Sequence, residues 1–465
     1  MRILLFISLL WLNAAFADSD IDAINKILNR SELSKGNYSL YITNISKRAK
    51  VFSYNEQKSF NPASVMKLVT TYAGLQFLGP QYQWKTEVLY KGHIKNRHLY
   101  GDLIMRGYGD PTLTYADLSE IIERVQQQGI QYIHGNIILD ESFFGELQNQ
   151  DLIDDKKYRA YNVNPKSFVV NENTINFNFS ISNEKINIQT FPEIQTLKVI
   201  NHLKLSEHGC NEWKDALGYE VNTKSNVTEI IFNGTFDKAC DSKDIDLSIL
   251  SANRLSKELF EKLWKMHGGI IEGDFKNTYQ KDVNTYKLYE HQSRPLGLVV
   301  RDINKYSQNL IARNLLLTIL AENNGVPITE NEAGRFVKEF LIKQKFKLDS
   351  LEMDNGAGLS RNAKINAEDL TFLLEKAYSS LYMPEFVSSL PNIGIDGTLK
   401  NRGKKLSVAK HAYLKTGSIQ NVSAIAGYIF DKNNDIKVFV FMANDPKANE
   451  SSKIQDDLIE WAYLN

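Results

Sequence analysis

Ser64-Val65-Met66-Lys67, entered through Asn61-Pro62 and continued by an apolar-periodic stretch to Leu78, decides how this chain is read. Asn is a good helix cap, Pro suits a first turn, and Gly79-Pro80 is a stop signal, so the pattern predicts a helix over 64–78. Residues three apart share a helix face, which brings the Lys67 amine within reach of the Ser64 hydroxyl. A serine hydroxyl is a weak nucleophile until a base takes its proton. Lysine can be that base only if its ammonium loses a proton near neutrality, through burial or a neighbouring cation. Lys415 is the candidate neighbour. The plainer reading is a capping serine with a surface lysine, and bare Ser-x-x-Lys does recur at Ser182 and Ser407. Only Ser64 has the Asn-Pro start and a long apolar helix behind it.

Two further elements lie downstream in a fixed order. Ser307-Gln308-Asn309 heads an apolar stretch to Glu322, whereas the same Ser-x-Asn pattern at Ser53, Ser59, Ser251 and Ser360 reads as turns or caps. At such a junction the Ser307 hydroxyl could relay a proton to a leaving amine, and the Asn309 amide could hold both Lys67 and a substrate amide. Lys415-Thr416-Gly417 occurs once, at the end of a strand predicted over Ala412 to Lys415. A lysine beside a threonine offers a carboxylate one charge and one hydroxyl. Gly417 lets a substrate backbone lie close to the strand, and the N–H groups of Ser64 and Ser418 could form an oxyanion hole. Taken alone, the tripeptide is equally a strand-end lysine in a turn. The ordered trio describes an active-serine acyl-transfer enzyme.

Bulk properties narrow the class. With 55 basic and 55 acidic residues the chain has no uniform basic footprint for nucleic acid. Met1-Arg2, the apolar run Ile3 to Leu12 and Ala15-Phe16-Ala17 read as a secretory signal peptide over 1–17. That run is shorter than the about 20 residues a membrane span needs, and no later segment resembles one. In an oxidising compartment Cys210 and Cys240 most simply form one disulfide, with free thiols as the competing state. No histidine spacing suggests a metal. Gly-x-Ser-x-Gly, His-Glu-x-x-His and Walker-type loops are absent from the sequence.

Periodicity gives the organisation. A helix over Ile21 to Leu28 precedes a hairpin of Tyr38 to Thr43 and Ala49 to Tyr54. Alternation returns over Trp84 to Tyr90 and Leu99 to Met105 around a Lys91-to-Asn96 turn, followed by a helix over Tyr115 to Gln128 and a strand over Asn136 to Asp140. Short alternating segments between Phe168 and Cys240 suggest a small β-rich module holding both cysteines. Helices are expected over Ser251 to His267, Ser307 to Glu322, Glu330 to Lys343 and Ala367 to Ser379. The chain then ends strand, strand, strand, helix. Those terminal strands would complete the sheet begun by the first hairpin, making the middle of the chain an insertion.

Further segments join the trio: Arg106-Gly107-Tyr108-Gly109-Asp110-Pro111-Thr112-Leu113, Gly358-Leu359-Ser360-Arg361 and Ile395-Asp396-Gly397-Thr398-Leu399. With them the chain resembles, over nearly its whole mature length, the D-alanyl-D-alanine carboxypeptidase/endopeptidase family of the penicillin-binding protein 4 type. That family has a large insertion between its first two motifs, and here 243 positions separate Ser64 from Ser307. The resemblance implies a multidomain α+β fold. A transpeptidase-like domain (18–85 and 290–465), an antiparallel sheet flanked by helices, would carry an inserted second domain (86–165 and 250–289) and a nested β-rich third domain (166–249). It implies hydrolysis of the terminal D-Ala-D-Ala bond and of D-Ala-diaminopimelate crosslinks in peptidoglycan, in the periplasm, without cofactor or metal. Peptidoglycan stem peptides would be the substrates and β-lactams covalent inhibitors. Ser64 would be nucleophile, Lys67 base, Ser307 and Asn309 relay and substrate ligands, and Lys415 with Thr416 the carboxylate grip. Asp140, Phe144, Arg361 and Gln420 match residues that line the family's pocket for the diaminopimelate side chain. One departure is Ala357, where the family commonly has Ser. A β-lactamase or esterase on the same fold, and a wall-binding scaffold with a vestigial site, are the alternatives.

Overall fold

The structure, a computed structural model, describes residues 20–148, 152–211, 213–324 and 329–465. The expected signal peptide, 1–17, lies outside them. Two compact units form: one from residues up to Tyr82 with Pro295–Asn323 and Thr329–Asn465, the other centred on Gln83–Arg294. No helix among the described residues is long and apolar enough to cross a membrane.

The first unit is built on a five-stranded antiparallel sheet in the order Ala412–Ile419, Val422–Phe430, Ile436–Asn444, Tyr38–Asn44, Ala49–Tyr54. The opening hairpin and the closing strands therefore share one sheet, joined where Tyr41 pairs with Val440. Alternation decides what each face meets. Leu40, Ile42, Phe439 and Phe441 bury against Ile454, Leu458 and Ile459 of the Ser452–Leu464 helix, and Ile24 and Leu28 of the 20–28 helix join the same core. On the central strands the opposite side is covered too: the Tyr428 hydroxyl donates to the Leu374 carbonyl, 2.7 Å away, in the Ala367–Tyr378 helix. A buried ion pair ties the closing helix down. Lys437 Nζ lies 2.7 Å from Asp431 Oδ2 and also donates to the Ala462 carbonyl at 2.8 Å.

Four local expectations are corrected. The Ser307 helix begins at Asn309, because Ser307 has φ +60°, outside the helical region. The strand carrying Lys415 does not stop there but runs to Ile419, since its pairing with Val422–Phe430 continues through Gly417 and Ser418 to a two-residue turn at Gln420-Asn421. Gly417, expected beyond the strand, lies in its interior. The turn expected over Lys91 to Asn96 is only Asn96-Arg97, both at positive φ, because the strands Lys85–Lys95 and His98–Gly107 keep pairing to their tips. Two helices, Leu296–Lys305 and Met383–Ser389, were not expected. In the first, Gly297 and two adjacent valines lower helix propensity, yet Leu296, Val299, Val300 and Ile303 bury with helical spacing.

The second unit pairs a seven-stranded sheet, with Lys85–Lys95 and His98–Gly107 at its centre, with the Tyr115–Gln127 and Ala252–Met266 helices. The same unit holds a three-stranded and a four-stranded sheet within residues 175–247. Phe177, Phe179, Phe232 and Phe236 pack between their strands. Cys210 and Cys240 are disulfide-bonded, with Cα atoms 5.2 Å apart.

Removing one partner of a buried ion pair typically costs about 3–5 kcal/mol, because the other charge stays buried. Lys437→Ala should therefore lower the unfolding free energy of the first unit by about that amount in denaturant titrations. A loss below about 0.5 kcal/mol, the range of ordinary surface changes, would show that the pair does not anchor the closing helix.

Candidate active site

Ser64 sits in a 3₁₀ turn, Ala63–Met66, that leads directly into the Lys67–Leu78 helix. The predicted helix start is thus a tighter turn, in which side chains three apart eclipse each other. Asn61 is not the helix cap. Its Oδ1 accepts from Ala63 N at 2.9 Å, its Nδ2 donates to the Ser360 carbonyl, and Asn444 bonds its backbone on both sides. Ala63 is held at φ +44°, an unusual conformation for a residue with a Cβ. Its carbonyl occupies the space beside Gly358, where a Cβ would stand 1.9 Å away. Gly358 itself has φ +70°, so a glycine is needed there on both counts.

Lys67 is fully buried. Its Nζ lies 2.7 Å from Asn309 Oδ1, 2.7 Å from the Ala357 carbonyl and 2.9 Å from Ser64 Oγ. The first two partners only accept hydrogen bonds. A neutral amine has two N–H bonds and one lone pair, so once those carbonyl oxygens take the N–H groups, the lone pair faces the Ser64 hydroxyl. Burial, followed by the positive charge of Lys415, pushes the Lys67 pKa well below its ordinary value. Geometry and electrostatics favour the same protonation state.

Lys415 is also fully buried, and its pKa is lowered to about 7 by burial. Its Nζ donates to Ser307 Oγ at 2.9 Å and to the Thr416 carbonyl at 2.7 Å. The Ser307 oxygen can accept that bond while its own proton remains available for donation. Gly417 has a structural reason of its own: a Cβ there would lie 2.5 Å from the Pro62 carbonyl and 2.9 Å from Ser64 N. The close approach it permits is that of the strand to the serine turn. Ser418 follows on the same strand, its Oγ 3.4 Å from Asn449 Oδ1.

The structure thus brings Ser64, Lys67, Ser307, Asn309, Lys415, Thr416 and Gly417 together in the first unit. Arg361 and Gln420 also meet there, with Nη1 donating to the Gln420 carbonyl at 2.9 Å. Asp140 and Phe144 belong to the other unit. Asp140 is buried and pairs with Arg106 Nε at 2.6 Å, while Phe144 is fully buried beneath Gly109. The partly exposed ring at that place is Phe143, tilted against Tyr108 with ring centres 5.3 Å apart.

The 354–360 loop, noted in the sequence for its motif and for Ala357, contributes a group that sequence reasoning missed: the Ala357 carbonyl on Lys67. Ala357 is fully buried, so this position serves Lys67 through its carbonyl and not through a side chain facing the cleft. Asn355 Oδ1 accepts from Ala357 N, and Thr70 Oγ1 donates to the Gly356 carbonyl, which together fix the loop. A backbone carbonyl leaves no signature in a sequence. The flanking Asn355-Gly356-Ala357-Gly358 run was the only available signal.

Comparison with known proteins identifies the family and the fold. A family model described as the D-Ala-D-Ala carboxypeptidase 3 (S13) family matches residues 21–463. D-alanyl-D-alanine carboxypeptidase DacB of Haemophilus influenzae is 24% identical over 431 residues, covering 90% of this chain and 88% of that protein. The D-alanyl-D-alanine carboxypeptidase of an Actinomadura species is 25% identical over 430 residues, covering 88% and 78%. Among solved structures, penicillin binding protein 4 (dacB) of H. influenzae superimposes with a TM-score of 0.80 at 22% identity, covering 95% of this chain and 99% of that one. Bd3459, a predatory peptidoglycan endopeptidase of Bdellovibrio bacteriovorus, superimposes with a TM-score of 0.54 at 16% identity, covering 93% of each. Because the family match runs almost from end to end, this chain belongs to the D-Ala-D-Ala carboxypeptidase 3 (S13) family of serine peptidases.

Proposed function

We propose that this chain is an exported, periplasmic DD-carboxypeptidase and DD-endopeptidase acting on peptidoglycan stem peptides through a Ser64 acyl-enzyme. The observation that carries the reading is the three-way contact of the buried Lys67 amine with Ser64, Asn309 and the Ala357 carbonyl. As Ser64 Oγ bonds to the carbonyl carbon of the penultimate D-alanine, its proton passes to Lys67. The oxyanion that forms is held by the Ser64 and Ser418 N–H groups. The carbon–nitrogen bond then breaks as Ser307 Oγ delivers its proton to the leaving amine and takes in its place the proton Lys67 removed from Ser64, which leaves Lys67 neutral again. A water attacks the resulting ester, Lys67 takes the water's proton, and Ser64 regains its own.

Lys415 and Thr416 grip the carboxylate of the leaving residue. An arriving carboxylate favours the ammonium form of Lys415, and two ammonium groups side by side are unfavourable, so this charge helps to keep Lys67 neutral. Crosslink cutting needs no different chemistry. The diaminopimelate residue at a D-Ala-diaminopimelate bond carries a carboxylate beside the scissile amide, as a terminal D-alanine does. It differs in its longer side chain, for which Arg361 and Gln420 offer exposed polar groups. Penicillin acylates Ser64 by the same attack, its ring amide replacing the peptide bond and its carboxylate engaging Lys415 and Thr416.

Labelled penicillin tests the reading. A long-lived adduct is expected on the wild type and none on Ser64→Ala; rapid turnover of the drug would indicate a β-lactamase, and no labelling a scaffold. Lys67→Met should slow acylation by at least about 100-fold with the fold retained. Gly417→Val should also cut acylation sharply, because its side chain meets backbone atoms of the serine turn. Lys415→Ala should cost about 10- to 100-fold in kcat/KM on peptides ending in a free carboxylate, the worth of one hydrogen bond to a charged group, and less on uncharged esters. Equal losses on both substrates would contradict the assigned grip.

A further inference from the structure

The Asp396–Leu399 turn meets the strand that carries Lys415 and Thr416. Asp396 Oδ2 lies 2.5 Å from Lys305 Nζ, which also donates to the Leu390 carbonyl at 2.9 Å. Lys305 is 3% exposed and ends the helix that leads into Ser307. The second carboxylate oxygen, Asp396 Oδ1, accepts from Asn392 N at 2.8 Å, closing the turn on itself. Gly397 follows at φ +57°, where a Cβ would lie 2.5 Å from the Lys305 carbonyl. A side chain at Gly397 would push the turn off the helix end. This packing fixes the next residue: Thr398 Oγ1 stands 2.9 Å from Thr416 Oγ1, at a surface open to solvent.

We infer that Thr398 is a substrate-binding residue, whose hydroxyl completes with Thr416 and Lys415 the pocket for the carboxylate of the leaving residue. Lys305 and Asp396 act as positioning residues that hold it there. The inference rests on the reading of Lys415 and Thr416 as that grip. Its chemistry follows from donor counting. Between two facing hydroxyls one proton is shared and the other is free, so the pair is satisfied when empty. A carboxylate has two oxygens with lone pairs to spare and no proton of its own. When it enters, both hydroxyls can turn their protons onto it and the ammonium supplies the charge. An uncharged ester gives them no comparable acceptor, so Thr398 should discriminate by substrate charge. The Lys305–Asp396 pair also joins the Ser307 turn to this pocket, so relay and grip share one rigid support.

The test compares Thr398→Val, which removes the hydroxyl at nearly constant shape, with Thr398→Ser, which keeps it. Steady-state kinetics are read on a peptide ending in D-Ala-D-Ala and on an uncharged ester lacking the terminal carboxylate. Thr398→Val should raise KM for the peptide about tenfold with a smaller effect on kcat, and leave the ester within about twofold, as expected for one hydrogen bond to a charged group. Thr398→Ser should restore most of the loss. Equal effects of Thr398→Val on both substrates, or a serine variant as impaired as the valine, would overturn the inference. Thr416→Val is run alongside. If it discriminates by charge and Thr398→Val does not, Thr398 alone is misassigned; if neither discriminates, the grip itself is wrong and the inference falls with it.

Discussion

Lys67 carries an amine that water does not reach, and most of the catalytic unit is arranged around that constraint. A buried ammonium would cost several kcal/mol even after relaxation, so the site favours the neutral form. A neutral amine still has two hydrogen-bond donors to satisfy, and burying them unpaired is also costly. Asn309 and the Ala357 carbonyl meet that need and orient the remaining lone pair. The nucleophile is placed by the same local geometry, since the 3₁₀ turn brings Ser64 over Lys67. The left-handed conformations of Ala63 and Ser307 are the backbone strain that this convergence requires.

The sources of these groups are far apart in sequence. Ser64 and Lys67 follow the opening hairpin, Ser307 and Asn309 begin a helix after the second unit, the Ala357 loop comes next, and Lys415 lies on an edge strand of the sheet. What gathers them is the sheet formed by the first and last strands of the chain. The pairing of Tyr38–Asn44 with Ile436–Asn444 fixes the two ends of the catalytic unit in register. The closing helix, held by Lys437 and Asp431, covers the face of that sheet containing Leu40 and Phe441. Fold and site are coupled through one ladder of backbone hydrogen bonds.

Much of this was legible in the residues. The helix over Tyr115–Gln127 stood out because one face of it is apolar, and the central closing strands because they are apolar runs buried on both faces. The catalytic side chains could be named because few residue types perform their chemistry, and because three short patterns came in a fixed order. The rest was hidden for physical reasons. A carbonyl contributed by Ala357 is independent of its side chain. The helix over Leu296–Lys305 was masked by glycine and valine, whose low propensity tertiary packing overrides. Gly417 was expected to make room for a substrate backbone, while here its missing side chain admits the serine turn, a contact between segments far apart in the chain. Phe144 matched by position, but position does not reveal that its ring is buried and that Phe143 holds the more exposed place.

The most direct measurement is the pH dependence of the rate constant for Ser64 acylation by an uncharged ester, which takes the carboxylate grip out of the reading. A base must be unprotonated to act, so acylation should fall only as pH drops through the lowered pKa of Lys67 and should reach its plateau well before the ordinary lysine range. A rate that instead climbed steadily through the alkaline range toward the ordinary lysine value of 10.5 would show that Lys67 is charged at neutral pH and would contradict the account.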